Sequence, residues 1–374
     1  MLNRRTLRIK IMQTLFAFEQ CKQANHLLSL DHLDDRFRPD LNSMEVQDKE
    51  LLSSQRKSSR LLFEKKFKDP ETTGGDEIII KTVDEALALY HKNVKRDFNY
   101  LQKNMILEVE ALNNLYHTVL GLLISFGEVA GGDKKINHKN FSGNVWIKAL
   151  SENADLKKEL VKGGLTSNQE QVRGWFKDVI KPDSLFQKFN EEKSPDVESQ
   201  KTIVKHIVRK LILGKGPIHD QYEEDIMRWA EDKDIIKSLV DKTIKSFDET
   251  TGKIELQKLT LDWDDDKDFM KKLFEATVHL DAEHKLLIAK NTRNWEVDRL
   301  PLTDLVIIEM AIAELITFPG IPVKVSINEY IELAKEYSTP KSRQFINGIL
   351  DVISKELYAL GVLKKSGRGL IDNK

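Results

Sequence analysis

The sequence predicts an all-α protein, on three observations. Charged residues fill 32% of the 374 positions and prolines only 9, a balance that favours helix over sheet. Apolar residues keep a three- and four-residue spacing from Leu87 to Phe126. In the last third, apolar helix patterns alternate with start and stop signals.

The elements follow in chain order. Leu7, Ile11, Leu15 and Phe18 define one face of a first helix over about Arg4 to Gln23, with Arg4 and Arg8 on another face and Arg5 beside them. From Ala24 to Asp76 the pattern weakens at Asp34, Asp35, Pro39, Asp40 and Asn42, and Asp69-Pro70 leads into Gly74-Gly75, so short helices and exposed loops are expected. Thr82 and Glu85 read as a capping box that starts a long helix. Its stripe spans 83–126, broken by Glu108, with Gly121, Gly127 and Gly131-Gly132 ending the run. At about 1.5 Å per residue it would reach roughly 60 Å, either as the core of a coiled coil or helical hairpin or as a protein-binding arm. Residues 131–195 are mixed and polar, with Gly163-Gly164, Pro182 and Pro195, while Trp146 and Trp175 suggest packing. A faint self-similarity at an offset of 66 places Trp229 on Trp295 and Asp232 on Asp298, a match that chance also produces.

Thr303 to Ile316 is apolar almost all round, the mark of a central buried helix. Phe318-Pro319-Gly320 stops it, and Ile321-Pro322-Val323 is expected to run extended. Ser326 and Glu329 read as a second capping box, opening a helix that buries Ile327, Tyr330, Ile331 and Ala334. Thr339-Pro340 starts the last helix, with Phe345, Ile349, Val352, Ile353 and Leu357 inward and Gly361 at its end. Asn347-Gly348, inside that helix, suggests a close helix–helix approach.

Composition limits the function classes. Lys+Arg total 59 against 60 for Asp+Glu, so a nucleic-acid binder must gather its positive charge locally. The single Cys21 excludes an internal disulfide framework and a cysteine-based zinc site, and is expected to be a buried, inert thiol. Gln13, Glu19 and Gln20 interrupt any signal-peptide pattern, and the apolar run Val119–Phe126 falls short of the ~20 residues of a membrane span, so a cytoplasmic protein is expected. No HExxH, His-x-x-x-His, Walker A, GxGxxG or GxSxG pattern occurs, and neither metal nor cofactor is expected. The acidic run Asp262, Asp264, Asp265, Asp266 and Asp268 lacks the Gly and distal Glu of an EF-hand and is expected to cap a helix near Asp268. Glu309 and Glu314, five apart, point about 140° from each other on a helix and read as salt-bridged structural residues.

Arg4, Arg5, Arg8 and Lys10 put four cations and no anion in the first ten residues, either a phosphate-binding cluster or a solvated helix end. Lys341 and Arg343 lie at the positive end of the last helix, where backbone N–H groups suit an anion; Lys324 is a further candidate.

Five fragments occur in one order: Trp295 to Leu300, the helix ending Ala313-Glu314-Leu315, Ile321 to Glu329, Ile331 to Lys335, and Phe345 to Asp351. Together they closely resemble the C-terminal half of the NusB family, and Arg4-Arg5-Thr6-Leu7-Arg8 resembles its arginine-rich opening helix. The resemblance implies a non-enzymatic, all-helical RNA-binding adaptor. Such a protein joins NusE, a small-subunit ribosomal protein, on single-stranded boxA-type RNA of nascent ribosomal transcripts and makes elongating RNA polymerase resistant to termination. It maps the RNA-binding residues onto Arg4, Arg5 and Arg8, with Thr6 where many members carry a third basic residue, and onto the loop holding Lys341 and Arg343. Glu309 and Ala313 stand where an arginine and an aromatic are common, which leaves the NusE face less defined than the RNA face. The expected layout is a first helix at 1–24, a helical insertion at 25–260, and the rest of the NusB-like bundle at 261–374. A ribosomal RNA methyltransferase with a NusB-like domain would need a following cofactor domain and catalytic cysteines. A protein-only scaffold that has lost RNA binding is the remaining rival.

Overall fold

The computed structural model describes residues 2–373 apart from 43, 45, 134–137, 164–167 and 293–299. The chain is 78% helical and forms no strand among the described residues, so the all-α class holds. The fragment Trp295 to Arg299, the repeat positions Trp295 and Asp298, and Gly164 lie outside the described residues.

Two compact units divide the chain: residues 5–106 with 267–374, and residues 1–4 with 107–266. The first unit opens with α1 (Arg4–Arg36), α2 (Lys49–Lys68) and the front of α3 (Glu77–Gly132). The boundary expected after residue 24 falls inside α1. That helix continues because Leu30, Leu33 and Phe37 bury against Leu62 and Phe63 of α2 and Ile79, Val83 and Ala86 of α3. Asn25 donates to Asp97 on α3 at 2.7 Å, and Arg60 pairs with Asp34 at 2.7 Å. The capping box at Thr82 does not form. α3 starts five residues earlier, at Glu77, and the Thr82 hydroxyl donates back to the Ile78 carbonyl at 2.8 Å.

Among the described residues, the second unit holds the rest of α3 and eight shorter α-helices. These are α4 (Lys139–Ser142), α5 (Val145–Glu152), α6 (Ala154–Lys162), α7 (Gln169–Trp175), α8 (Ser184–Glu191), α9 (Val197–His206), α10 (Pro217–Asp225) and α11 (Trp229–Lys245). Gly121 and Gly127 do not end α3 as expected. They make room: a Cβ on Gly127 would sit 2.7 Å from Ile147 Cγ2 of α5, and one on Gly121 2.9 Å from Leu160 of α6. Val109, Leu112, Tyr116, Val119, Leu120, Leu123 and Phe126 are buried, so the stripe serves as core. Among the described residues α3 alone is long and apolar enough to cross a membrane, and 56% of its apolar window is buried inside the protein, as in a core helix.

The C-terminal part of the first unit adds α12 (Trp263–Val278), α13 (Ala282–Asn291), α14 (Leu302–Thr317), α15 (Val323–Tyr337) and α16 (Pro340–Ala359). As expected, α14 is buried nearly all round, packing against α13, α15 and α16. Thr339 caps α16 by accepting the Ser342 N–H at 3.1 Å, with Pro340 in its first turn, and Gly361 leaves it at φ +69°. The core face of α16 is Ile346, Ile349, Leu350, Ile353 and Leu357; Val352 is exposed and Phe345 half-buried. Asn347 and Gly348 face solvent, and nothing lies within 4 Å of a Cβ built on Gly348, so no close helix approach explains that glycine. α12 begins at Trp263 rather than near Asp268, because Asp262 accepts the N–H groups of Asp264 and Asp265, each at 3.1 Å.

Candidate nucleic-acid interface

The cationic start of α1 is tied down by carboxylates. Arg8 is 3% exposed; its Nε donates to Glu314 Oε2 at 2.7 Å and a terminal nitrogen to Glu314 Oε1 at 2.8 Å. The same carboxylate, fully buried on α14, accepts from Ser326 Oγ at 2.7 Å and from the Tyr330 hydroxyl at 2.9 Å. The Arg8 guanidinium also lies over the Phe269 and Tyr330 rings, 5.5 and 5.9 Å from their centroids. Burial pulls the Arg8 pKa down, but hydrogen bonding to Glu314 and its charge outweigh that and hold it above its ordinary value. Burial, then the Glu314 charge, pushes the Tyr330 phenol well up.

Ser326 is therefore not an N-cap: α15 starts three residues earlier, and the Ser326 hydroxyl is spent on Glu314. Glu329, its supposed capping partner, instead receives both Arg5 Nε at 3.0 Å and a terminal Arg5 nitrogen at 2.9 Å. Those bonds hold the Glu329 carboxyl below its usual range. Arg4 pairs with Asp265 at 2.5 Å and Asp266 at 3.2 Å, so the acidic first turn of α12 serves as its counter-charge. Burial raises the Asp266 pKa against the opposing pull of Arg4.

The predicted phosphate-binding set thus divides. Arg8 and Lys10 are buried and do not present their charge to solvent. Arg4 and Arg5 keep side-chain exposures of 36% and 39%, enough to reach a ligand only in exchange for, or alongside, their carboxylates. Lys341 and Arg343 are exposed on the first turn of α16. The backbone there is less open than expected. Thr339 takes the Ser342 and Arg343 N–H groups through its hydroxyl and carbonyl, Pro340 has none, and Lys341 N–H remains. Lys324 is exposed at the start of α15. Glu309 lies mostly buried 3.6 Å from Lys285, and burial raises its pKa against that lysine. Ala313 is in the core at 1% exposure. The partners Glu314, Glu329, Asp265 and Asp266 carried no sequence signal as a group, because they lie 261 to 324 residues from the arginines they hold.

An all-helical bundle whose first helix is locked onto the central helix, with cations at the head of its last helix, is the class of protein these features define. Residues 227–355 match the NusB family. Curated relatives named transcription antitermination protein NusB include one from Chloroherpeton thalassium, 53% identical over 85 residues, covering 23% of this chain and 40% of the relative. Another, from Salinibacter ruber, is 47% identical over 85 residues (23% and 53%), and one from Natranaerobius thermophilus is 50% identical over 70 residues (19% and 50%). The chain spans about half the length of the curated relatives it matches. No solved structure matches.

Proposed function

We propose that the chain is a non-enzymatic, cytoplasmic transcription antitermination factor that binds single-stranded boxA-type RNA together with NusE, acting through RNA on elongating polymerase. The observation that carries this reading is the NusB-family match at residues 227–355, with relatives near 50% identity that bear the antitermination name. Exposed Lys341 and Arg343 supply a phosphate-facing helix start, and Arg4 and Arg5 supply half-exposed guanidinium groups. The test is titration of a boxA-type oligoribonucleotide, with and without NusE, over a range of salt. Replacing Lys341 and Arg343 by alanine lowers affinity for all sequences alike, and the slope of log K against log salt by roughly 0.7 per contact. An unchanged slope removes both residues from the interface.

The second reading, a protein-only scaffold, draws on the burial of Arg8 and Lys10 and the carboxylate partners of Arg4 and Arg5. It requires that NusE bind while RNA does not, with or without NusE.

A further inference from the structure

We propose that the first turns of α10 form a binding site for a zinc-class divalent cation, held by His219, Asp220 and Glu223. The ligand atoms already converge. His219 Nδ1 lies 3.4 Å from Asp220 Oδ1 and 3.9 Å from Glu223 Oε2, and all three atoms lie within 4.8 Å of one another. Tetrahedral coordination at about 2.0–2.1 Å per ligand sets neighbouring ligand atoms about 3.4 Å apart, so only small side-chain movements are needed. Positions 219 and 223 are four apart on one helix face, which places the imidazole and the glutamate side by side.

The three residues divide the work. His219 is 8% exposed, its ring fixed edge-on to Trp229 with centroids 5.9 Å apart, so the nitrogen donor is preoriented. Asp220 and Glu223 are 66% and 62% exposed, which leaves the outer side open to water as further ligands. An imidazole nitrogen with two carboxylates selects zinc or a neighbouring first-row ion over magnesium or calcium, which prefer all-oxygen sites. Acidic residues in a helix's first turn commonly just complement the dipole. Here they instead flank the ring nitrogen of a histidine that is more than nine-tenths buried.

Lys233 tunes the site. Its Nζ is 3.4 Å from His219 Nε2, so its positive charge stands close to the site and opposes a bound cation. Lys233 therefore lowers affinity, and removing it raises affinity.

The test is calorimetric titration of the chelator-treated full chain with Zn²⁺, and Co²⁺ titration followed by visible absorption. One saturable site is expected. The exposed substitutions Asp220→Asn and Glu223→Gln leave the fold intact. Each weakens binding at least about tenfold, the smaller effect seen when merely an outer partner of a metal ligand is lost. Lys233→Met tightens binding, and Zn²⁺ raises the melting temperature of the parent chain more than that of Glu223→Gln. Absence of saturable binding, or binding unchanged in both carboxylate variants, overturns the proposal.

Discussion

Arg8→Met is the most informative single perturbation of the bundle. It keeps the length of the side chain and removes the two bonds of 2.7 and 2.8 Å to Glu314. Glu314 is 0% exposed and would keep only Ser326 and Tyr330 as partners for its charge. Breaking a buried pair from one side typically costs about 3–5 kcal/mol, and the exclusion of water from both groups puts this pair in that class. Urea unfolding followed by circular dichroism measures it. The double variant Arg8→Met with Glu314→Gln removes both charges, so its loss is expected to be less than the sum of the single losses, with a coupling of at least about 1 kcal/mol. An Arg8→Met loss under about 1 kcal/mol would refute the view that this arginine is structural and would return it to the RNA-facing set.

Three further outcomes follow from the geometry. Phe98 stacks near Phe274 and His279, and Gln102 donates to Glu275 at 2.8 Å, so the front of α3 runs antiparallel beside α12. Joining Ile106 to Lys267 by a turn of about four Gly/Ser residues therefore leaves a cooperatively folded helical protein, whereas deleting Pro39–Pro195 strips Leu30, Leu33 and Phe37 of their partners and collapses helicity. An unfolded short-turn chain by circular dichroism would show that the first unit cannot stand alone. Gly348→Ala, in open space on an exposed helix face, raises stability by about 1 kcal/mol, while Gly127→Ala forces Ile147 aside and lowers it by about 1 kcal/mol or more; opposite signs in thermal melts are the check. The folded-state pKa of Glu329 lies below its ordinary 4.5, so its contribution is present above that value and lost as pH falls below it through the folded pKa. Arg5→Gln should flatten that acid-side loss in pH-dependent melts.

Helices were legible where burial sets a 3.6-residue period, as in the back of α3, or leaves a run apolar all round, as in α14. Some departures arise where a polar side chain has a distant partner. Ser326 and Glu329 have the spacing of a capping box, yet Glu314 and Arg5 take them, and no local pattern can reveal that competition. Thr82 bonds its own helix, and α1 outlasts its weak pattern because α2 and α3 cover it. In α16 the inward face was partly misread, since Phe345 and Val352 mimic core positions beside Ile346 and Ile353. The cations of the candidate interface were visible as types; which of them remain outward was decided by carboxylates in α12, α14 and α15.

Glu314 accepts two bonds on each oxygen, from Arg8 and Ser326 on one and from Arg8 and Tyr330 on the other, which fills its lone pairs. Arg8 and Glu314 are 306 positions apart, and at about 5–20 residues per second a ribosome needs roughly 15–60 s to travel between them. Throughout that interval the nascent first helix carries the apolar Leu7, Ile11 and Leu15, with the α14 partner of Arg8 still unmade. The bundle can close only once α14 has been made. A factor of this design depends on protection of its first turns while it is being made, and any pause before codon 314 lengthens that exposure.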